Sequence, residues 1–153
     1  MKILLIHGPN LNLLGTREPD IYGSMTLDEI VERVRSHGAT LGIEVLALQS
    51  NGEGDIIDAI QGARGRVDAL VINAGGYSHT SVAIRDAIAA VALPAVAVHL
   101  SNPQAREEFR HTDVVAGACR GVIAGFGWRG YVFALDALKE GNDVAVQGGD
   151  SAR

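Results

Sequence analysis

Short runs of β-branched and aliphatic residues alternate along the chain with longer stretches whose apolar positions recur at helical spacing. Lys2–His7 predicts a first strand. Thr26-Leu27-Asp28-Glu29 has the form of a capping box, and Ile30, Val31, Val34 and Leu41 follow it on one helical face. Residues 43–48 predict a second strand, residues 55–63 a helix carrying Ile56, Ile57 and Ile60, and residues 68–73 a third strand. A helix over 81–91 leads to a fourth strand at Ala95–His99. A turn and a short helix over 104–110, a fifth strand over 121–125 and a closing helix over 131–139 complete the pattern.

Alternation of this kind implies a parallel sheet with helices on both faces. The strands are short and wholly apolar, as buried strands are, rather than apolar on one side only. Five such strands in a doubly wound sheet predict the order 2-1-3-4-5, a flavodoxin-like three-layer α/β sandwich. Residues 1–140 read as one domain. Residues 141–153, rich in Gly, Asp and Ser, read as a polar C-terminal tail that need not pack.

Composition narrows the function. The 153 residues are 47% hydrophobic and 20% charged, which excludes a disordered chain or a coiled coil. No apolar run approaches the ~18 residues of a membrane span, and the N-terminal stretch is too short for a signal peptide. A net charge of −5 argues against a nucleic-acid binder. The single cysteine, Cys119, permits no internal disulfide and no cysteine-built metal site, and it reads as a small core hydrophobe. A soluble cytoplasmic domain is expected, with neither nucleic acid nor membrane as partner. Aromatics are only 5%, so the interior is mainly Ala, Val, Ile and Leu, and such a domain is expected to bury part of its surface in a homo-oligomer.

Polar and glycine-rich segments follow three of the strands. The first strand runs into Gly8-Pro9-Asn10-Leu11-Asn12, the third into Asn73-Ala74-Gly75-Gly76-Tyr77-Ser78-His79, and the fourth into Leu100-Ser101-Asn102. In the order 2-1-3-4-5 these strands are neighbours, so the three segments meet in one cleft at the carboxyl end of the sheet, where open α/β sheets bind ligands. Residues 13–24 show no periodicity and carry Arg17, Glu18, Asp20 and Tyr22. They form either a lid over that cleft or a solvated loop.

Each candidate residue also has a plainer reading. His99 at the end of a buried strand is either a structural histidine or an acid–base group. His79 either caps the helix that follows or donates to an anion. His7, inside the first strand, reads as a satisfied core group, and His37 and His111 as surface residues. Arg106 and Arg110, four apart on a helix, either clamp a carboxylate or pair with Glu107 and Asp113. Asp86 beside Arg85 has the same ambiguity. The glycine loops match neither a P-loop nor a dinucleotide fingerprint. There is no zinc spacing and no nucleophile elbow. Of the two lysines, Lys2 starts the first strand and Lys139 lies in the last helix, which argues against Schiff-base chemistry.

Four motifs in order give the chain a family resemblance. His7-Gly8-Pro9-Asn10-Leu11-Asn12-Leu13-Leu14-Gly15 and Arg17-Glu18-Pro19-Asp20-Ile21-Tyr22-Gly23 resemble the opening of the type II 3-dehydroquinate dehydratases. Asn73-Ala74-Gly75-Gly76 with His79-Thr80-Ser81 and Arg85-Asp86 is similar to the same family. So is His99-Leu100-Ser101-Asn102 with Ala105-Arg106-Glu107-Glu108-Phe109-Arg110. The resemblance covers about residues 2–140. It implies dehydration of 3-dehydroquinate to 3-dehydroshikimate through an enolate, in the shikimate pathway or in quinate catabolism. No cofactor, no metal and no Schiff base are implied, and the assembly is a dodecamer of four trimers.

By the same resemblance, Tyr22 is the base that removes the C2 proton and Arg17 the residue that activates it. His99 is the acid for the departing hydroxyl, and Asn10 holds a water near the enolate oxygen. Asn73, His79, Asp86, Leu100, Ser101 and Arg110 bind substrate, with Asp86 reaching a neighbouring subunit's site. A free phenol titrates near ~10, so a nearby cation is needed to keep it ionised at neutral pH. An enolate needs a donor at its oxygen and a leaving hydroxide needs a proton.

One departure stands out. The family usually has a glutamate two residues before the histidine, and here that residue is Ala97. Residues 97 and 99 point to the same face of a strand, so a carboxylate there would orient the imidazole. Ala97 therefore predicts slowed turnover unless another group supports His99. The alternative from a different class is a non-catalytic binder of a small polyhydroxylated carboxylate. A flavin- or nucleotide-binding protein would rest on fold analogy alone.

Overall fold

The computed structural model describes residues 1–16 and 18–148, and in them five strands lie side by side in one parallel sheet. They are Lys2–His7 (β1), Glu44–Gln49 (β2), Ala69–Asn73 (β3), Ala95–His99 (β4) and Gly121–Ala124 (β5), in the order β2-β1-β3-β4-β5. The helices are Pro19–Tyr22 (α1), Leu27–Thr40 (α2), Glu53–Ala63 (α3), Val82–Val91 (α4) and Arg129–Gly148 (α5). The expected three-layer order is thus the observed one.

Alternation along the strands builds two cores. Ile3 and Leu5 of β1, Ala69 and Val71 of β3, and Val96 and Val98 of β4 pack against α2 and α5. Ile6, Leu70, Ile72 and Ala95 face the other way, against α3 and α4. A register slip of one residue would turn each set to the wrong layer. Ile3, Leu5 and Ile6 are fully buried, and each such side chain contributes about 1.5–3 kcal/mol.

Helix starts follow the side chains that can close them. The Thr26 hydroxyl accepts from the Glu29 N–H at 3.2 Å, while the Glu29 carboxylate accepts from the Thr26 N–H at 2.8 Å. This is the predicted capping box. Ser81 caps α4 by accepting from the Ile84 N–H, so His79 is not the cap.

The structure corrects the sequence reading in three places. Residues 19–22 form a single helical turn within the segment read as irregular, with Pro19 at its first position. Residues 103–110 are not one helix but two 3-10 turns, Pro103–Ala105 and Glu108–Arg110, separated by Arg106 in an extended conformation (φ −111°, ψ −163°). Finally, α5 continues to Gly148, into the segment read as a polar tail. Residues 149–153 lie outside the described residues.

Candidate active site

Two glycines let the loops after β1 and β3 pack together at the carboxyl end of the sheet. A Cβ on Gly8 would lie 2.4 Å from the Ala74 carbonyl oxygen, and Gly75 adopts φ +59° against the Pro9 carbonyl. A side chain at the first position would force the loops apart, and at the second it would strain the backbone. Beyond these loops lies a cleft of ≈ 170 Å³. Asn10, Tyr22, Asn73, His79, His99, Leu100, Ser101 and Arg110, all candidates from the sequence, line it. Arg106 lines it as well, a residue the sequence left between two roles. Arg17 lies outside the described residues. Asp86 is exposed on α4 and does not line the cleft of its own chain.

The floor is held from below. Asn73 Nδ2 donates to the Tyr131 hydroxyl of α5 at 3.0 Å, and Asn73 Oδ1 accepts from the Gly75 N–H at 3.1 Å. The Tyr131 hydrogen is then left for His7 Nδ1, 3.2 Å away. His7 is buried and stays neutral, because burial lowers its pKa to about 4. Its Nε2 has no hydrogen-bond partner among the described residues, so His7 is a half-satisfied core group rather than a satisfied one. Burial likewise pushes the Tyr131 phenol upward.

Around the mouth, Tyr22 is half-buried at the end of α1, and the Arg106 guanidinium lies over its ring, 5.2 Å from the centroid. Arg106 Nη1 also donates weakly to the Ser101 hydroxyl at 3.4 Å. Arg110 pairs with Glu107 and covers the Phe109 ring. Asn10 adopts a left-handed conformation (φ 69°) that asparagine tolerates, and its N–H donates to Asn51 Oδ1 at 3.0 Å.

The two histidines are stacked, with ring centroids 6.4 Å apart and planes 15° from parallel. His79 Nδ1–H donates to the Thr112 carbonyl at 2.7 Å. His99 Nε2 stands 2.7 Å from Asp113 Oδ2. Burial pushes the Asp113 pKa up, but hydrogen bonds from His99 and the Ala116 N–H, the His99 charge and the Val115 N–H together hold it below the ordinary carboxylate value. Asp113 is therefore ionised at neutral pH and accepts from His99. Sequence reasoning considered Asp113 only as a partner for arginine. Arg85 instead donates to the Val114 carbonyl at 2.9 Å. Among the described residues, no group of three His, Cys, Asp or Glu side chains is placed to hold a metal ion.

The family model "Dehydroquinase class II" matches residues 1–139. A 3-dehydroquinate dehydratase of Corynebacterium glutamicum is 57% identical over 137 residues, covering 90% of this chain and 94% of the relative. One of Ruegeria pomeroyi is 54% identical over 137 residues, covering 90% and 92%. The crystal structure of a type II dehydroquinase from Butyrivibrio crossotus superposes with a TM-score of 0.89 at 48% identity, covering 90% of this chain and 97% of that one.

Proposed function

The chain belongs to the class II dehydroquinase family, and from that premise we propose how its cleft carries out the reaction. It is a hydro-lyase that dehydrates 3-dehydroquinate to 3-dehydroshikimate. Tyr22 is the base that takes the C2 proton as a phenolate. Arg106 over its ring supplies positive charge that stabilises negative charge on the phenol, and Arg17 of the same family motif is assigned the activating role. The electron pair left on C2 moves into the adjacent carbonyl, and a water held by Asn10 donates to the enolate oxygen. His99 then protonates the departing hydroxyl, which leaves as water.

Binding follows from the same set. The backbone after β4 and the Ser101 hydroxyl take the carboxylate, while Asn73, His79 and Arg110 take the hydroxyls and Leu100 packs against the ring. The observation that carries this reading is the convergence of Tyr22, His99, Asn10 and Asn73 on one cleft from three loops. A binder would have no use for a phenol under a guanidinium in the same cleft as an imidazole. The assay follows the conjugated enone product by ultraviolet absorbance. Tyr22→Phe is expected to lose about 10²–10⁴ in kcat with the fold intact, whereas turnover near wild type would remove Tyr22 from the base role.

The same proposal includes assembly and place. The chain forms trimers, four to a dodecamer, in which Asp86 reaches a neighbour's cleft. Large apolar side chains left exposed, among them Phe109 at 65% and Phe126 at 62%, support self-association. A single light-scattering mass tests it. The enzyme works in the cytoplasm.

A further inference from the structure

We propose that Asp113 is the positioning residue for the acid of the reaction: its carboxylate holds His99 through Nε2–H, so that the proton for the departing hydroxyl leaves from Nδ1. The inference rests on His99 being that acid.

Asp113 is built to stay in place. Its Oδ1 accepts from the N–H groups of Val115 at 3.0 Å and Ala116 at 2.8 Å, while Oδ2 accepts from His99 at 2.7 Å. Three hydrogen bonds on two oxygens fix the plane of the carboxylate. His99 lines the cleft and Asp113 does not, so the carboxylate acts through the ring. Its charge is also felt at Cys119, whose thiol is pushed up to about 11 by burial and then by Asp113. On the strand itself, Ala97 is buried and offers only a methyl on the face it shares with His99. The neighbouring Thr112 carbonyl holds His79, so two consecutive residues orient both stacked rings.

This arrangement suits a proton donor. A carboxylate accepts only, so the nitrogen facing it keeps its hydrogen in both charge states of the ring. The imidazolium gives the Nδ1 proton to the hydroxyl and water departs. The neutral ring that remains carries its hydrogen on Nε2, which is the tautomer Asp113 selects, so no rearrangement follows the transfer. The proton taken by Tyr22 returns to the Nδ1 position through solvent, and the cycle balances.

Asp113→Asn separates this role from a structural one. The amide oxygen can still accept from Val115 and Ala116, but the amide then presents N–H to His99 and opposes the Nε2–H tautomer. We expect kcat to fall by about 10²-fold or more, within the range known for a histidine held in the wrong tautomer, with KM within about threefold. ¹⁵N shifts of labelled histidine, assigned through His99→Ala and read at a pH where the ring is neutral, should show its hydrogen on Nε2 in the native enzyme and on Nδ1 in the variant. A kcat within about twofold of native, with Nε2–H retained, overturns the proposal. So does a neutral His99 ring that carries its hydrogen on Nδ1 in the native enzyme, a measurement that needs no variant to fold. If His99→Ala itself keeps native turnover, the acid assignment falls and the proposal with it. If His99→Ala is inactive while Asp113→Asn is native, only Asp113 is discarded.

Discussion

The Tyr131 hydroxyl accepts from the Asn73 side-chain amide at 3.0 Å, so the closing helix fixes a cleft residue from beneath the sheet. Tyr131 is fully buried, and its ring meets that of His7 edge-on at 5.2 Å. Removing its oxygen leaves Asn73 Nδ2 without this acceptor in a dry setting. Tyr131→Phe should therefore cost about 1–3 kcal/mol of stability. Urea unfolding measures the loss. A rise in KM should accompany it, because Asn73 is then free to turn its amide.

The same network makes stability depend on pH. His7 has a pKa of about 4 in the fold against 6.5 for the unfolded chain, so the unfolded state binds the proton more readily between these values. The contribution is present in full above pH 6.5 and is lost as pH falls towards 4, a change of about 3 kcal/mol from this group. Asp113, whose carboxyl is held low, is lost only at lower pH still. His7→Leu should flatten unfolding free energy between pH 6.5 and 4. A slope as steep as native in that variant would assign the effect elsewhere.

Restoring the family's glutamate should bring no gain. With Asp113 already on His99, Ala97→Glu adds a second carboxylate at a buried position beside a ring whose Nε2 is already paired. Stability should fall by at least about 1–3 kcal/mol, and kcat should stay level or drop. An increase in kcat would mean that Asp113 supports the ring poorly.

Ala92 ends α4 in a left-handed conformation, φ 55° and ψ 28°, and is exposed. Glycine adopts that geometry without the Cβ clash. Ala92→Gly should raise stability by about 0.5–1 kcal/mol, offset in part by the freer unfolded chain. Thermal unfolding checks it, and kcat should not change because the position is remote from the cleft.

What the sequence revealed and hid has a physical pattern. β1, β3 and β4 are continuous apolar runs buried on both faces, and that signal is local. Their polar ends locate the cleft because parallel topology brings successive carboxyl ends together. The turn at Pro19–Tyr22 is too short to show a period. The helix expected over 104–110 is absent because extended backbone at Arg106 breaks the segment into two turns, so Arg106 and Arg110 do not share a helical face. Asp113 reaches His99 across 14 residues of irregular chain, a distance no spacing rule covers. The available signals were indirect: the missing carboxylate at Ala97, and an aspartate two and three residues before the Val115 and Ala116 N–H groups it accepts from.

All five strands run the same way, and so every loop with a chemical task leaves from one rim. At the opposite rim the Lys2 N–H donates to Asp68 and its ammonium pairs with Glu44, contacts that hold the strand ends together. A substitution at the amino rim should therefore register first in unfolding, and one at the carboxyl rim first in turnover.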